Sequence, residues 1–194
     1  LEEVKLRITT KAKSLSEAKL LIKPIKRELY EKFSTHIFGE DNENLPTVLI
    51  KALLKRNESI VFAESCTGGL LSAQITSVSG SSKIFKGSII AYSNELKNLL
   101  LDVPKDLLNN YGAVSEEVAE SMAIGAKNKL NSDWAISVSG IAGPKGWSKS
   151  KPIGLVYIAI TGPNNETFKI KKQYNPLRNR NEIQRLSVND CLNS

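Results

Sequence analysis

Apolar and polar positions switch repeatedly between a period of two and a period near 3.6, the signature of alternating strands and helices. At the front, Val4, Leu6 and Ile8 alternate with charged or polar residues and predict a half-buried strand. Ala18, Leu21, Ile22, Ile25, Leu29 and Phe33 then recur at helical spacing, with Ser14 and Glu17 as a capping box and Pro24 as a kink or restart. The polar run Gly39-Glu40-Asp41-Asn42-Glu43-Asn44 reads as a linker. Residues 1–44 are therefore expected to be a small partial α+β segment, and 45–194 a separate domain.

Beyond the linker the alternation is regular. Val48, Leu49, Ala52 and Leu53 predict the buried face of a helix, and Ser59 to Ala63 a short buried strand. Gly68-Gly69 permits a sharp turn into a helix marked by Leu70, Leu71, Ala73 and Ile75. Gly87 to Ser93 reads as a second buried strand and Asn94 to Leu101 as a short helix. Ser115, Glu116 and Glu117 open a strong helix whose buried face is Val118, Ala119, Met122, Ala123, Ala126 and Leu130, with Lys127 and Lys129 near its dipole's negative end. Trp134 to Ser139 and Leu155 to Thr161 predict further strands, Thr167 to Tyr174 an edge strand, and Asn179 onward a final helix. Strands interleaved with helices predict a three-layer α/β/α sandwich with a mixed sheet.

Composition narrows the function classes. No apolar run approaches the roughly 20 residues that span a bilayer, and LEEVKLRITT lacks a signal peptide's apolar centre, so a cytoplasmic protein without membrane contact is expected. Cys66 and Cys191 form no framework and read as free thiols. The formal charge of +7 favours anionic ligands, yet the lysines are dispersed rather than striped, so nucleic acid is not expected as the primary partner. His36 is the single histidine and lies far upstream of the glycine pair, which disfavours both a Ser-His-Asp triad and a Cys/His zinc site. No metal or cofactor is expected.

Three predicted strands end in turns that carry reactive or glycine-rich sequence. These are Glu64-Ser65-Cys66-Thr67-Gly68-Gly69, Tyr92-Ser93-Asn94-Glu95-Leu96-Lys97, and Ser139-Gly140-Ile141-Ala142-Gly143-Pro144. If the strands are parallel neighbours, the turns converge on one cleft at their carboxyl ends. Ser65 is then a candidate nucleophile, with the helix after it offering N–H groups to a phosphate, a carboxylate or an oxyanion; the plainer reading is that Ser65 or Thr67 only caps that helix. Lys97, partly buried, is a candidate base, although a lone helix lysine is usually solvated. Tyr92 is a candidate proton donor, and Cys66 the competing nucleophile without an activating neighbour in sequence. Lys145, Lys149 and Lys151 around Trp147 suggest a basic lid over a nucleotide, against an ordinary solvated loop. Arg178 and Arg180 are alternative clamps for a phosphate or carboxylate.

AESCTGG at 63–69, YSNELK at 92–97, YGAVSEEVAESMA at 111–123, and SGIAGPKG with KPIGLVYIAI between 139 and 160 resemble the CinA C-terminal domain family, which includes stand-alone nicotinamide-nucleotide amidases. The resemblance covers about 45–190, and 1–44 resembles the end of the small KH-like middle domain that precedes it. It implies the C-terminal part of a longer protein, with a nucleotide-pyrophosphatase-like first domain missing, consistent with a chain that opens on Leu1. The implied activity, in NAD salvage, is hydrolysis of the carboxamide of nicotinamide mononucleotide to nicotinic acid mononucleotide and ammonia, without metal or cofactor. Carried over residue by residue, Ser65 is the nucleophile, Lys97 the base and Tyr92 the assisting tyrosine. Glu64, Thr67, Gly68 and Gly69 then surround the reacting group, and Ser139, Gly140 and Arg180 hold the ribose phosphate. Lys145 and Trp147 stand where the family usually has an acidic and a small residue. A homodimer or higher homo-oligomer is implied as well. The rival expectation is a catalytically silent nucleotide-binding or regulatory module linked to competence or DNA damage.

Overall fold

The computed structural model describes residues 4–194, and the chain divides into two compact units, Leu1–Asn44 and Leu45–Ser194. In the first unit, α1 (Leu15–Phe33) is a continuous helix with Pro24 inside it. It starts where the Ser14 side chain accepts from the Glu17 N–H, while Glu17 Oε2 accepts from the Lys13 N–H at 2.8 Å. Pro24 neither ends nor restarts the helix. The strand expected around Val4, Leu6 and Ile8 is absent: residues 4–12 form neither strand nor helix, and Val4 and Leu6 are exposed. Alternation alone makes no strand without a neighbour to complete the ladder. The first three residues of this expected domain lie outside the described residues.

The second unit is built on a five-stranded sheet in the order β2-β1-β3-β4-β5. β1 (Ile60–Glu64) lies between β2 (Phe85–Ile90) and β3 (Trp134–Gly140), parallel to both, and β4 (Leu155–Thr161) and β5 (Thr167–Gln173) continue antiparallel. Such a sheet is mixed, and its three parallel strands bring their carboxyl ends to one edge. Helices α2 (Leu45–Arg56), α3 (Leu70–Thr76) and α7 (Arg180–Leu192) pack with one another, and α4 (Asn94–Leu101), α5 (Lys105–Tyr111) and α6 (Glu116–Leu130) form the other helical group. α6 packs across β1, β3 and β4.

The core beneath α6 is made of small side chains. Ala63, Ala119, Ala123, Ala126, Ala135 and Ala159 join Val61, Leu101 and Met122 in one buried cluster, and this lets helix and sheet approach closely. Gly125 carries the same logic further: a Cβ there would meet the Leu101 carbonyl oxygen at 1.9 Å, so α4 is seated against bare backbone of α6. Lys97, four residues before Leu101, is positioned by that contact.

Several local expectations are corrected. The buried residues of α2 are Leu45, Pro46, Ile50 and Leu53, while Ala52 is exposed, so its inward face is turned from the expected one. β2 stops at Ile90 and is a half-buried edge strand, because the carbonyls of Ala91 and Tyr92 are taken by a lysine amine and Ser93 caps α4. Lys127, in the last turn of α6, is buried as well; its Nζ donates to Gly162 O at 2.7 Å and Asn165 Oδ1 at 2.6 Å and ties α6 to the β4–β5 turn. The helix α5 was not signalled by periodicity.

Candidate active site

The turn after β1 is held by its own acidic residue. Glu64 ends the strand fully buried, and its carboxylate bends back over the start of α3. Oε2 accepts from Thr67 Oγ1 at 2.7 Å, Gly69 N–H at 2.9 Å and Leu71 N–H at 3.1 Å; Oε1 accepts from Ser72 N–H at 2.9 Å and Ser72 Oγ at 2.6 Å. A carboxylate that satisfies helix N-terminal donors is a strong cap. It also occupies the Thr67 hydroxyl and the Gly69, Leu71 and Ser72 N–H groups within the fold, so of the donors expected around a ligand these are already engaged. Gly68 and Gly69 adopt φ +60° and +102°, left-handed backbone that a side chain would strain, and the Gly68 N–H donates to Ser65 O at 3.2 Å. In this turn the Cys66 and Thr67 N–H groups are left without an acceptor among the described residues.

Ser65 leaves the strand with its N–H on Val138 O at 3.0 Å, and its hydroxyl meets Lys97. Lys97 Nζ lies 3.0 Å from Ser65 Oγ, 2.8 Å from Ala91 O and 3.3 Å from Tyr92 O. Lys97 is only 1% exposed, and burial lowers its pKa from 10.5 to about 8; the nearby Cys66 sulfur acts weakly the other way. At pH 7 the ammonium form predominates, and its three N–H groups match these three oxygens, Ser65 Oγ accepting one of them. In the neutral form, roughly a tenth of the lysine at pH 7, two N–H groups hold the carbonyls and the lone pair is free to take the Ser65 proton.

Cys66 is a poor rival. Its thiol is buried and pushed up to about 12 by desolvation, so the thiolate is scarce at neutral pH. Cys191 is likewise buried and free.

Opposite the dyad, the α7 terminus decides between the two arginines. Asn179 caps α7 in a capping box with Glu182, and this aims Arg180 at the site: Nη1 donates to Gly143 O at 2.9 Å and Nη2 to Tyr92 Oη at 2.8 Å. Arg178 instead pairs with Glu182 at 3.4 Å. The Tyr92 side chain is 59% exposed, so its hydroxyl accepts from Arg180 and keeps its own proton to give.

Ser139 and Gly140, expected around a phosphate, are engaged elsewhere. Ser139 Oγ donates to Ala113 O at 2.6 Å and fixes the α5–α6 connection, and Gly140 allows β4 to approach, since a Cβ would meet Val156 Cγ2 at 2.5 Å. The following loop is ordered by Ser148 N–H to Lys151 O at 2.9 Å and Lys151 N–H to Ser148 O at 3.1 Å, and by Lys151 Nζ donating to Tyr111 O. Trp147 at its tip is 60% exposed, and Lys145 and Lys149 are solvated. Among the described residues no group of His, Cys, Asp and Glu is arranged to hold a metal, and no helix is long and apolar enough to cross a membrane.

Sequence reasoning missed two contributors. Ser72 supplies two of the five hydrogen bonds to Glu64, and its position one helical turn beyond the glycine pair is a usable signal. Gln184 Nε2 donates to Cys66 O at 2.7 Å, and nothing in the sequence marks a lone glutamine on α7 as part of the site.

Residues 42–194 match the family model of the CinA C-terminal domain. A CinA-like protein of Prochlorococcus marinus is 68% identical over 194 residues, covering 100% of this chain and 46% of that protein; one from another strain is 50% identical over 190 residues, covering 98% and 44%. The chain thus spans less than half the length of the curated relatives it matches. Among solved structures, competence/damage inducible protein CihA from Agrobacterium tumefaciens superposes with TM-score 0.75 at 35% identity, covering 80% of this chain and 94% of that one. A CinA superfamily protein from Escherichia coli superposes with TM-score 0.74 at 25% identity, covering 82% and 94%. The chain belongs to the CinA C-terminal domain family.

Proposed function

We propose that this chain hydrolyses the carboxamide of nicotinamide mononucleotide to nicotinic acid mononucleotide and ammonia, with Ser65 as nucleophile and Lys97 as base. The observation that carries the reading is the buried Lys97 amine, 3.0 Å from Ser65 Oγ, with its other partners both carbonyls. Family membership supports the reaction class. Ser65 Oγ attacks the carboxamide carbon while its proton passes to Nζ, and the oxyanion takes the Thr67 N–H. The C–N bond then breaks, ammonia leaves with the proton returned from Nζ, directly or through the Tyr92 hydroxyl, and water hydrolyses the acyl ester with the neutral Lys97 again as base. Arg180 is the cation for the substrate's phosphate, exchanging its present acceptors for it. Ser139, whose proton is already donated, contributes no donor there. Because the base must be unprotonated, kcat/KM rises with pH along a limb near 8.

A second reading has its own support: Thr67 Oγ1, Gly69 N–H, Ser139 and Arg180 are all satisfied internally, as in a module that binds a nucleotide or regulates and turns nothing over. Ammonia release from nicotinamide mononucleotide, with Ser65→Ala and Lys97→Ala alongside, decides between them. Release by the parent, reduced at least about a thousandfold in both folded variants, is the expected result. Saturable nucleotide binding without release would overturn the amidase.

A further inference from the structure

Most bonds that shape the Ser65 turn come from the turn itself or from the neighbouring strand β3. Glu64 takes Thr67 Oγ1, Gly69 N–H and Leu71 N–H; Ser65 O takes Gly68 N–H; Val138 O takes Ser65 N–H. One contact arrives from the last helix of the chain: Gln184 Nε2 to Cys66 O at 2.7 Å. Its consequence follows from peptide geometry. The Cys66 carbonyl and the Thr67 N–H belong to one planar trans peptide and point in opposite directions, so a donor that fixes the carbonyl also fixes the aim of the N–H. With the Cys66 N–H, that N–H is one of two in the turn without an acceptor among the described residues. A half-buried amide on a packed helix is a rigid source of such a bond, since Ile183, Ser187 and Val188 around it are buried.

The opposite wall is reached from the same helix. Arg180, one turn before Gln184, holds Tyr92 Oη, and the Tyr92 carbonyl is a partner of Lys97 Nζ. α7 is itself tied to the sheet, because Asp190 accepts from Tyr174 Oη and from Lys172 Nζ at 3.1 Å. The nucleophile turn and the base loop are thus indexed to one rigid element.

We propose that Gln184 is a positioning residue for the reaction: through the Cys66–Thr67 peptide it aims the Thr67 N–H at the oxyanion formed on attack by Ser65. This rests on the reading of Ser65 as the nucleophile. It predicts a defect in the transition state and not in substrate binding, since the Gln184 amide donates to the Cys66 carbonyl and not to Lys97 or Arg180. Removing an oxyanion donor outright costs ~10²–10³ in rate, and misaiming one is expected to cost at least about tenfold.

The test uses Gln184→Met, which keeps length and bulk without a donor, and Gln184→Ala, each checked by thermal unfolding and assayed well below its Tm. A fluorophosphonate probe reports Ser65 without reference to the natural substrate: Oγ forms a bond to phosphorus, the P–F bond breaks, fluoride leaves, and the Ser65 proton passes to Lys97 Nζ. The expected result is labelling of the parent at Ser65, none in Ser65→Ala, and at least about tenfold slower labelling in both Gln184 variants. With nicotinamide mononucleotide, kcat falls to match, KM is unchanged, and the pH limb near 8 stays in place because the partners of Lys97 are untouched. Parental labelling rates in both Gln184 variants, or no labelling of the parent, would overturn the proposal. Ammonia release is a separate readout: normal labelling dependent on Gln184 with no ammonia overturns the substrate reading and leaves the positioning role standing.

Discussion

The two sides of the candidate site are built on opposite principles. On one, Glu64, Ser65 and Lys97 are buried, and their polar atoms have defined partners within the fold. On the other, the loop from Ile141 to Gly154 presents Trp147, Lys145 and Lys149 to solvent, while Arg180 on Gly143 O, the Ser148–Lys151 backbone bonds and Lys151 on Tyr111 O hold its frame. A low-dielectric setting holds a lysine near its neutral form and a serine in one orientation; a solvated loop can do neither, but it can meet a ligand. On the proposed reading, chemistry is assembled on the buried side and recognition is left to the exposed one.

That contrast breaks most severely at Gly125. Gly125→Ala forces a methyl into the Leu101 carbonyl, which cannot yield without moving α4, so a loss of about 3 kcal/mol or more in denaturant unfolding is expected, with kcat reduced as Lys97 shifts. An unchanged stability would mean that α4 is not seated as described.

Lys97 sharpens the contrast through pH. Its pKa is about 8 folded and 10.5 in a model peptide, so between those values the unfolded chain binds more protons and the folded state gains stability as pH rises. From pH 7 to 10.5 the stability difference between the parent and Lys97→Met should shift by about 3 kcal/mol in the parent's favour, whatever its starting value. A flat difference would show a lysine that is charged and solvated throughout.

The smallest effect belongs to the exposed side. Trp147→Ala should leave unfolding within about 0.5 kcal/mol of the parent, while KM for the nucleotide rises several-fold at nearly constant kcat. A fall in kcat alone would move Trp147 from recognition to chemistry.

How far such features can be read from sequence depends on where their cause lies. α6 and α7 announce themselves through local caps, Ser115 and Asn179, and β3 and β4 through continuous apolar runs, because these signals act within a few residues. α5 follows Pro104 and is only seven residues long, too short for a period to emerge. α1 shows the complementary limit. Its helical spacing is plain and the helix forms, yet none of its residues is buried, since burial requires a partner that periodicity does not supply.

The sequence by itself determined the reactive inventory: a serine in the turn after one predicted strand, a lysine in the helix after another, a single histidine, and the motif order of the CinA C-terminal domain. Only the tertiary structure decided that Glu64 occupies the α3 terminus, that Arg180 and not Arg178 faces Tyr92, and that Gln184 pins the peptide after Ser65. The physical reason is range. Propensity, capping and period are set by adjacent residues, whereas the direction of a buried hydrogen bond and the desolvation of an amine are set by whichever distant segments the sheet brings together.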